Sequence, residues 1–193
     1  RVLSSFVKPE DMSPVRLDQL ENIGTIVTDE DEIVEQQVVS GIAYAKDEAK
    51  ITILNVADKP GVAACIFGPL AAANINVDMI VQNIAPDGKS TDMTFTVQAA
   101  ELARTLDVLK TAAKDIGYAE VRSSGDVAKI SVIGIGMRSH AGVAAKMFQA
   151  LADKGINIQA ISTSEIKISV LIDAAYAELA VRTLHSVYDL DAA

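Results

Sequence analysis

An internal repeat constrains this chain more than any other feature. Lys50-Ile-Thr-Ile-Leu54 is matched by Lys129-Ile-Ser-Val-Ile133, each a β-rich alternating segment. Pro60-Gly-Val-Ala-Ala-Cys-Ile-Phe67 is matched by Ala141-Gly-Val-Ala-Ala-Lys-Met-Phe148, and Ile75-Asn-Val77 by Ile156-Asn-Ile158. The strand starts lie 79 positions apart (50 and 129) and the later segments 81 apart (60 and 141, 75 and 156). The second copy therefore holds two extra residues in the loop between its first strand and first helix, and loops are where variation is tolerated. Two copies of one supersecondary unit in 193 residues mean two small modules and not one large domain.

Each copy runs from an apolar strand through a Gly-containing turn into a helix. The apolar side of that helix recurs at helical spacing, as Val62, Ile66 and Leu70 or as Val143, Met147 and Leu151. Two β-rich runs follow, 76–84 and 93–99 in the first copy, separated by Ala85-Pro-Asp-Gly88, whose Pro, Asp and Gly mark a turn. The second copy makes that turn tightly between Ile161 and Ile166. A second helix carries Leu102, Leu106 and Leu109 or Leu179, Leu184 and Val187, and the first copy closes with a strand over 118–123. The order βαββαβ folds as an antiparallel four-stranded sheet with both helices on one face, the ferredoxin-like arrangement of the α+β class.

The second copy ends without its fourth strand, while residues 37–43 form a strand that the repeat leaves unmatched. An open edge would expose unpaired backbone donors and acceptors, so residues 37–43 are expected to cross over and complete the second module. The expected organisation is a first module over 46–125, a second built from 36–45 plus 126–193, and a separate segment over 1–35, in which 8–22 reads as linker. Residues 1–7 read as the end of an element begun elsewhere, as a piece of a longer chain would show. Pro69 falls inside the first helix and should kink it, because it removes a backbone hydrogen bond.

Composition removes several classes of function. A net charge of −9 repels phosphate backbones and anionic lipid, no apolar run reaches the roughly 20 residues of a membrane span, and the first residues given do not follow a basic-then-apolar secretory pattern; the chain reads as cytoplasmic. The single cysteine, Cys65, reads as a small apolar filler on the first helix. Acidic residues 29–32 lack ordered ligand spacing and read as a solvated loop, so no metal site is expected. Gly134-Ile-Gly136 fails as a dinucleotide motif because Ser139 stands where a third glycine belongs. Ser139 and His140 lack the elbow and third partner of a nucleophilic triad. An RNA-binding sheet would show aromatic platforms, and Phe95 is the lone aromatic on the relevant strands. Acylphosphatase-like chemistry would need an arginine in the loop after the first strand to cradle a phosphate, and neither copy offers one so placed; Arg138, in the longer second loop only, is the nearest candidate. What remains is a pair of strand-to-helix loops, Asp58-Lys-Pro-Gly61 and Arg138-Ser-His-Ala-Gly142. Each sets backbone amides at a helix N-terminus, which attracts a carboxylate, although Pro and Gly also serve simply to turn the chain and start a helix.

Several strings together resemble the regulatory half of aspartokinase. They are Asp58-Lys-Pro-Gly61, Ile75-Asn-Val-Asp-Met79, Gln82-Asn83, Thr91-Asp-Met-Thr-Phe95, Met137-Arg-Ser-His140 and Ile161-Ser-Thr-Ser-Glu-Ile-Lys-Ile-Ser169. The similarity covers 36–190, and the Ser-Thr-Ser-Glu string is its most specific element. Arg1-Val-Leu-Ser-Ser-Phe6 and Gly24-Thr-Ile26 resemble the tail of that family's kinase domain, while its Lys-Phe-Gly-Gly string is absent. The resemblance implies two ACT modules acting as an allosteric amino-acid sensor for an aspartate kinase, the enzyme that phosphorylates the aspartate side chain with ATP at the head of lysine, threonine and methionine synthesis. It implies a non-catalytic chain with no cofactor of its own, ATP and Mg belonging to the kinase domain. The implied partners are threonine or lysine, a second copy joined through the ACT modules, and a kinase domain or catalytic subunit, as in the family's small regulatory subunits. Carried over by position, a first effector site uses Asp58, Gly61, Val62, Ala63, Asn76, Val77, Asp78 and Gln82, closed by Asn157 and Ile158 of a partner module. A second, equivalent site uses Val143, Ala144, Ser164 and Glu165, the glutamate suiting a lysine ammonium. The rival readings are an ACT pair serving a different amino-acid enzyme and a small stand-alone enzyme on a ferredoxin-like fold.

Overall fold

Alternation dictates the first element: Ala49, Ile51 and Ile53 are buried while Lys50, Thr52 and Leu54 between them face the other side. The computed structural model describes residues 38–86, 88–134 and 142–190. The segment 1–35 with its acidic run, Gln37 of the crossover strand, Asp87 of the first turn, and the loop carrying Gly136, Met137, Arg138, Ser139 and His140 lie outside the described residues.

The chain runs β1 (Gly41–Ala57), α1 (Val62–Ala72), β2 (Ile80–Ile84), β3 (Ser90–Gln98), α2 (Leu102–Thr111), α3 (Ala113–Ile116), β4 (Glu120–Ile133), α4 (Val143–Asp153), β5 (Ala160–Thr163), β6 (Lys167–Asp173) and α5 (Ala177–Val187). The described strands form one six-stranded antiparallel sheet in the order β2-β3-β1-β4-β6-β5. The two modules thus share a sheet, and β1 and β4 belong to both. Residues 50–54 of β1 pair with 120–124 of β4 inside the first module, and residues 41–45 pair with 129–133 inside the second. The N-terminal strand therefore supplies the fourth strand that the second copy lacks. The register slips on either side of Glu48, where the pairing passes from one module to the other.

Each module buries its own core beneath its helices. Ile51, Ile53, Ile66, Leu70, Met93, Phe95 and Leu109 fill the first; Ile130, Val132, Met147, Leu151, Val170, Ile172 and Leu184 fill the second. Phe95 meets Phe67 edge to face at 5.3 Å, so the aromatic that an RNA platform would expose is wholly inside. On the helix-free face the repeat extends to single hydroxyls: Thr52 and Thr94 lie 3.0 Å apart, and their counterparts Ser131 and Ser169 lie 2.8 Å apart. A third cluster of Met79, Val127, Leu171 and Ala160 joins the modules on that face.

Two local expectations change. Cys65 is exposed and does not fill the core, because Val62, Ile66 and Leu70 already occupy the inward stripe of α1. On α2 the fully buried positions are Thr105 and Leu109 and not Leu106; the Thr105 hydroxyl donates to the Glu101 carbonyl at 2.7 Å, which lets a polar side chain be buried. Pro69 sits within α1, whose last turn closes through Ala73 N–H to the Pro69 carbonyl at 3.0 Å.

Candidate functional site

Both strand-to-helix loops end the same way. Gly61 precedes α1 with φ 93° and Gly142 precedes α4 with φ 102°, a left-handed conformation that glycine adopts without a Cβ penalty. Among the described residues, no side chain caps either helix start. The Gly61 carbonyl accepts from Cys65 N–H at 3.0 Å and the Gly142 carbonyl from Lys146 N–H at 2.8 Å, so each helix begins on its glycine. The first-turn amides carry the positive end of the helix dipole, which draws a carboxylate. Asp58 is exposed, and its N–H donates to the Lys89 carbonyl at 2.9 Å, tying the first loop to the turn between β2 and β3.

The sequence-selected residues fall into three places. The first is the start of α1, with Asp58, Gly61, Val62 and Ala63; Val62 is buried in the first core and Ala63 is exposed. The second is the junction between modules. Here Asn76, Val77 and Asp78 lead into β2 while Asn157 and Ile158 lead into β5, and Met79 and Ala160 just beyond them share the apolar cluster that joins the modules. The third is the start of α4, where Val143 and Ala144 follow Gly142; Gly134 N–H donates to Ile166 O at 3.0 Å, drawing the end of β4 to the β5–β6 turn that holds Ser164 and Glu165.

These places do not merge within one chain. Lys89 lies beside Asp58 and the Thr96 carbonyl accepts from Asp78 N–H at 3.0 Å, so seven residues of extended chain separate the two levels (96 − 89 = 7). At about 3.3 Å per residue that is roughly 23 Å. Gln82, opposite Met93, stands between them, exposed on the edge strand β2. The first expected site is thus divided between a helix start and the module junction.

At the junction two ion pairs share one lysine, and sequence reading missed that lysine and its partner Glu48. Lys129 donates to both Glu48 and Asp78, with side-chain exposures of 16%, 9% and 52%. Burial works against the Lys129 ammonium, but the hydrogen bonds to Asp78 and Glu48 outweigh it and hold the group above the ordinary lysine range. The equivalent Lys50 donates instead to the neutral Gln159 Oε1 at 2.5 Å. Beside them the Thr96 hydroxyl is buried without a hydrogen-bond partner. The available signal was the equivalence of Lys50 with Lys129, but pairs 51 and 81 positions apart are invisible to local pattern.

Residues 50–113 and 130–188 each match the ACT domain family. An aspartokinase of Pseudomonas aeruginosa is 55% identical over 174 residues, covering 89% of this chain and 42% of that protein. Among solved structures, one of aspartokinase alpha and beta subunits matches with a TM-score of 0.73 and 52% identity, covering 78% of this chain and 99% of that one. The ligand-free regulatory subunit of aspartate kinase from Thermus thermophilus matches with a TM-score of 0.73 and 41% identity, with 99% of it covered. The chain belongs to the aspartokinase family, as its tandem ACT regulatory region. It spans 42% of the length of these curated aspartokinases. Among the described residues of this aspartokinase region, no group of three or more His, Cys, Asp or Glu is placed to hold a metal, and no helix is long and apolar enough to cross a membrane.

Proposed function

We propose that this ACT pair is a cytoplasmic, non-catalytic sensor of free threonine or lysine that imposes feedback inhibition on an aspartate kinase, joined to it or associated with it, at the entry to lysine, threonine and methionine synthesis. The observation that carries this reading is the pair of equivalent uncapped helix starts opened by Gly61 and Gly142 in a chain of the aspartokinase family. An amino-acid ligand brings a carboxylate suited to first-turn amides such as that of Ala63 and an ammonium or hydroxyl suited to Asp58, the Gln82 amide oxygen and, at the junction, Asp78. The separation of the Asp58 loop from Asn76 and Asn157 within one copy favours a site closed by a second copy, with Asn157 and Ile158 contributed by the partner. The second site, around Val143, Ala144, Ser164 and Glu165, would offer a carboxylate to a lysine side chain. ATP and Mg are work for the kinase domain, and this region needs no cofactor.

Calorimetric titration of the 193-residue chain with a panel of amino acids is the test. Saturable heat with threonine or lysine and none with the other members is the expected result. A flat response to both, or a stronger response to an unrelated amino acid, would sink the proposal.

A further inference from the structure

The repeat places one lysine from the first strand of each module on the helix-free face, Lys50 and Lys129, and each reaches into the other module. Lys129 meets Asp78 and Lys50 meets Gln159, two positions 81 residues apart that enter β2 and β5 alike: Asp78 N–H donates to Thr96 O and Gln159 N–H to Leu171 O. The same cross-module contact is therefore made twice, once with a carboxylate and once with an amide. A second difference reinforces the first. Glu48 adds another carboxylate to Lys129, and the residue standing opposite Glu48 in the β1–β4 register is Val127.

One junction thus gathers two carboxylates around a single ammonium, an excess of one negative charge beside largely buried groups, while the other sets an ammonium against a neutral amide. The two carboxylates are not alike. Glu48 is 9% exposed and fixed beside Lys129, whereas Asp78 is 52% exposed and open to a solute. If a second cation engages Asp78, Lys129 keeps Glu48 and is never left bare, so the exchange avoids the cost of an unpaired buried charge.

We propose that Lys129 is a latch between the modules that competes with the ammonium of a bound amino acid for Asp78, so that effector binding at the first-module junction releases Asp78 from the second module. This deepens, and rests on, the reading of Asn76 to Asp78 as part of an amino-acid site. It assigns Lys129 and Glu48 positioning roles: Glu48 holds the lysine during the exchange, and neither residue touches the ligand.

The latch makes the two variants move in opposite directions. Lys129→Met removes the competitor and should tighten threonine or lysine binding by at least about fivefold, the low end of ordinary allosteric couplings. Glu48→Gln leaves Lys129 leaning on Asp78 and should weaken the same binding. A purely structural role would weaken both. Should Lys129→Met fail to fold because Glu48 is stranded, the double variant with Glu48→Gln carries no stranded charge and must retain the tighter binding. The latch is also read without ligand: melting temperatures of Asp78→Asn, Lys129→Met and their combination should be non-additive. Additive melting overturns the latch whatever the chain binds. Non-additive melting with affinity shifts of the same sign overturns the competition. If the unaltered chain takes no amino acid, the functional reading fails and the competition with it, while non-additive melting still establishes the latch.

Discussion

The Tyr188 hydroxyl donates to the Val143 carbonyl at 2.8 Å, joining the chain just after α5 to the first turn of α4, with the Lys146 ammonium 5.2 Å from the centre of its ring. Burial pushes the phenol up to about 12, against a smaller opposing bond from the Met147 backbone. A group whose folded value is raised stabilises the fold below its unfolded value of 10.0 and loses that contribution as the pH climbs toward about 12. Lys129 acts with the same sign, since its folded value is raised above 10.5. Stability should therefore fall steeply above pH 10, with one tyrosine ionising last in an ultraviolet titration. Tyr188→Phe should cost about 0.5–1.5 kcal/mol at neutral pH and remove that late tyrosine. An alkaline melting profile that Tyr188→Phe leaves unchanged would show that the phenol is not a titrating contributor.

Gly61 and Gly142 hold φ at 93° and 102° with nothing within 4 Å of where a Cβ would stand. Alanine at either position meets conformational strain without collision, about 1–2 kcal/mol for a residue forced into left-handed backbone. Urea unfolding of Gly61→Ala and Gly142→Ala should show losses of that size and of similar magnitude at the two sites. A stabilising effect at either would mean that the helix starts in another conformation.

Gly134, the first glycine of the failed dinucleotide motif, has a different purpose. A Cβ there would stand 2.1 Å from the Val38 carbonyl oxygen and 2.9 Å from the Val39 Cα, so only glycine lets the N-terminal segment pass β4. Gly134→Ala should push that segment away and speed hydrogen exchange at 41–45 and 129–133, the paired stretches of β1 and β4. A chain begun at Lys46 should go further, losing cooperative unfolding and exposing the edge of β4. If the shortened chain melts like the whole one, the crossover strand contributes nothing to the second module.

The repeat made most of the fold legible: both helix starts, the apolar stripes of α1 and α4, and the missing fourth strand can all be read from matched strings. It did not show that β1 runs unbroken for 17 residues and β4 for 14. Lys46, Asp47 and Glu48 interrupt the apolar alternation, and a charge run reads as a loop unless its distant partners are known. Glu48 is buried because Lys129 answers it, a pairing that exists only once β1 and β4 lie side by side. The candidate site was legible as a set of residues but not as a place. Asp58 and Asp78 lie on one short stretch of sequence, yet strand geometry sends them to opposite ends of β3.

That separation bears on how binding becomes regulation. If Asp58, Gly61 and Ala63 of one copy close over Asn157 and Ile158 of another, the effector sits across an interface and must stabilise the assembly. Mass action then requires dimerisation to tighten when threonine or lysine is present, and couplings of about 1–3 kcal/mol correspond to roughly 5- to 150-fold in the association constant. Asp58→Ala should weaken binding by about 1.5–3 kcal/mol, the worth of a charge-assisted hydrogen bond, without unfolding the chain, because Asp58 is exposed. Asn157→Ala should leave a fold of ordinary stability, since Asn157 is also exposed, but make the association constant indifferent to effector. Its amide offers both a donor and an acceptor to a ligand and a facing backbone, and alanine offers neither. Sedimentation of the unaltered chain and both variants, with and without saturating threonine or lysine, reads each outcome. A monomer–dimer equilibrium of the unaltered chain that ignores both amino acids would remove the interface from the regulatory device.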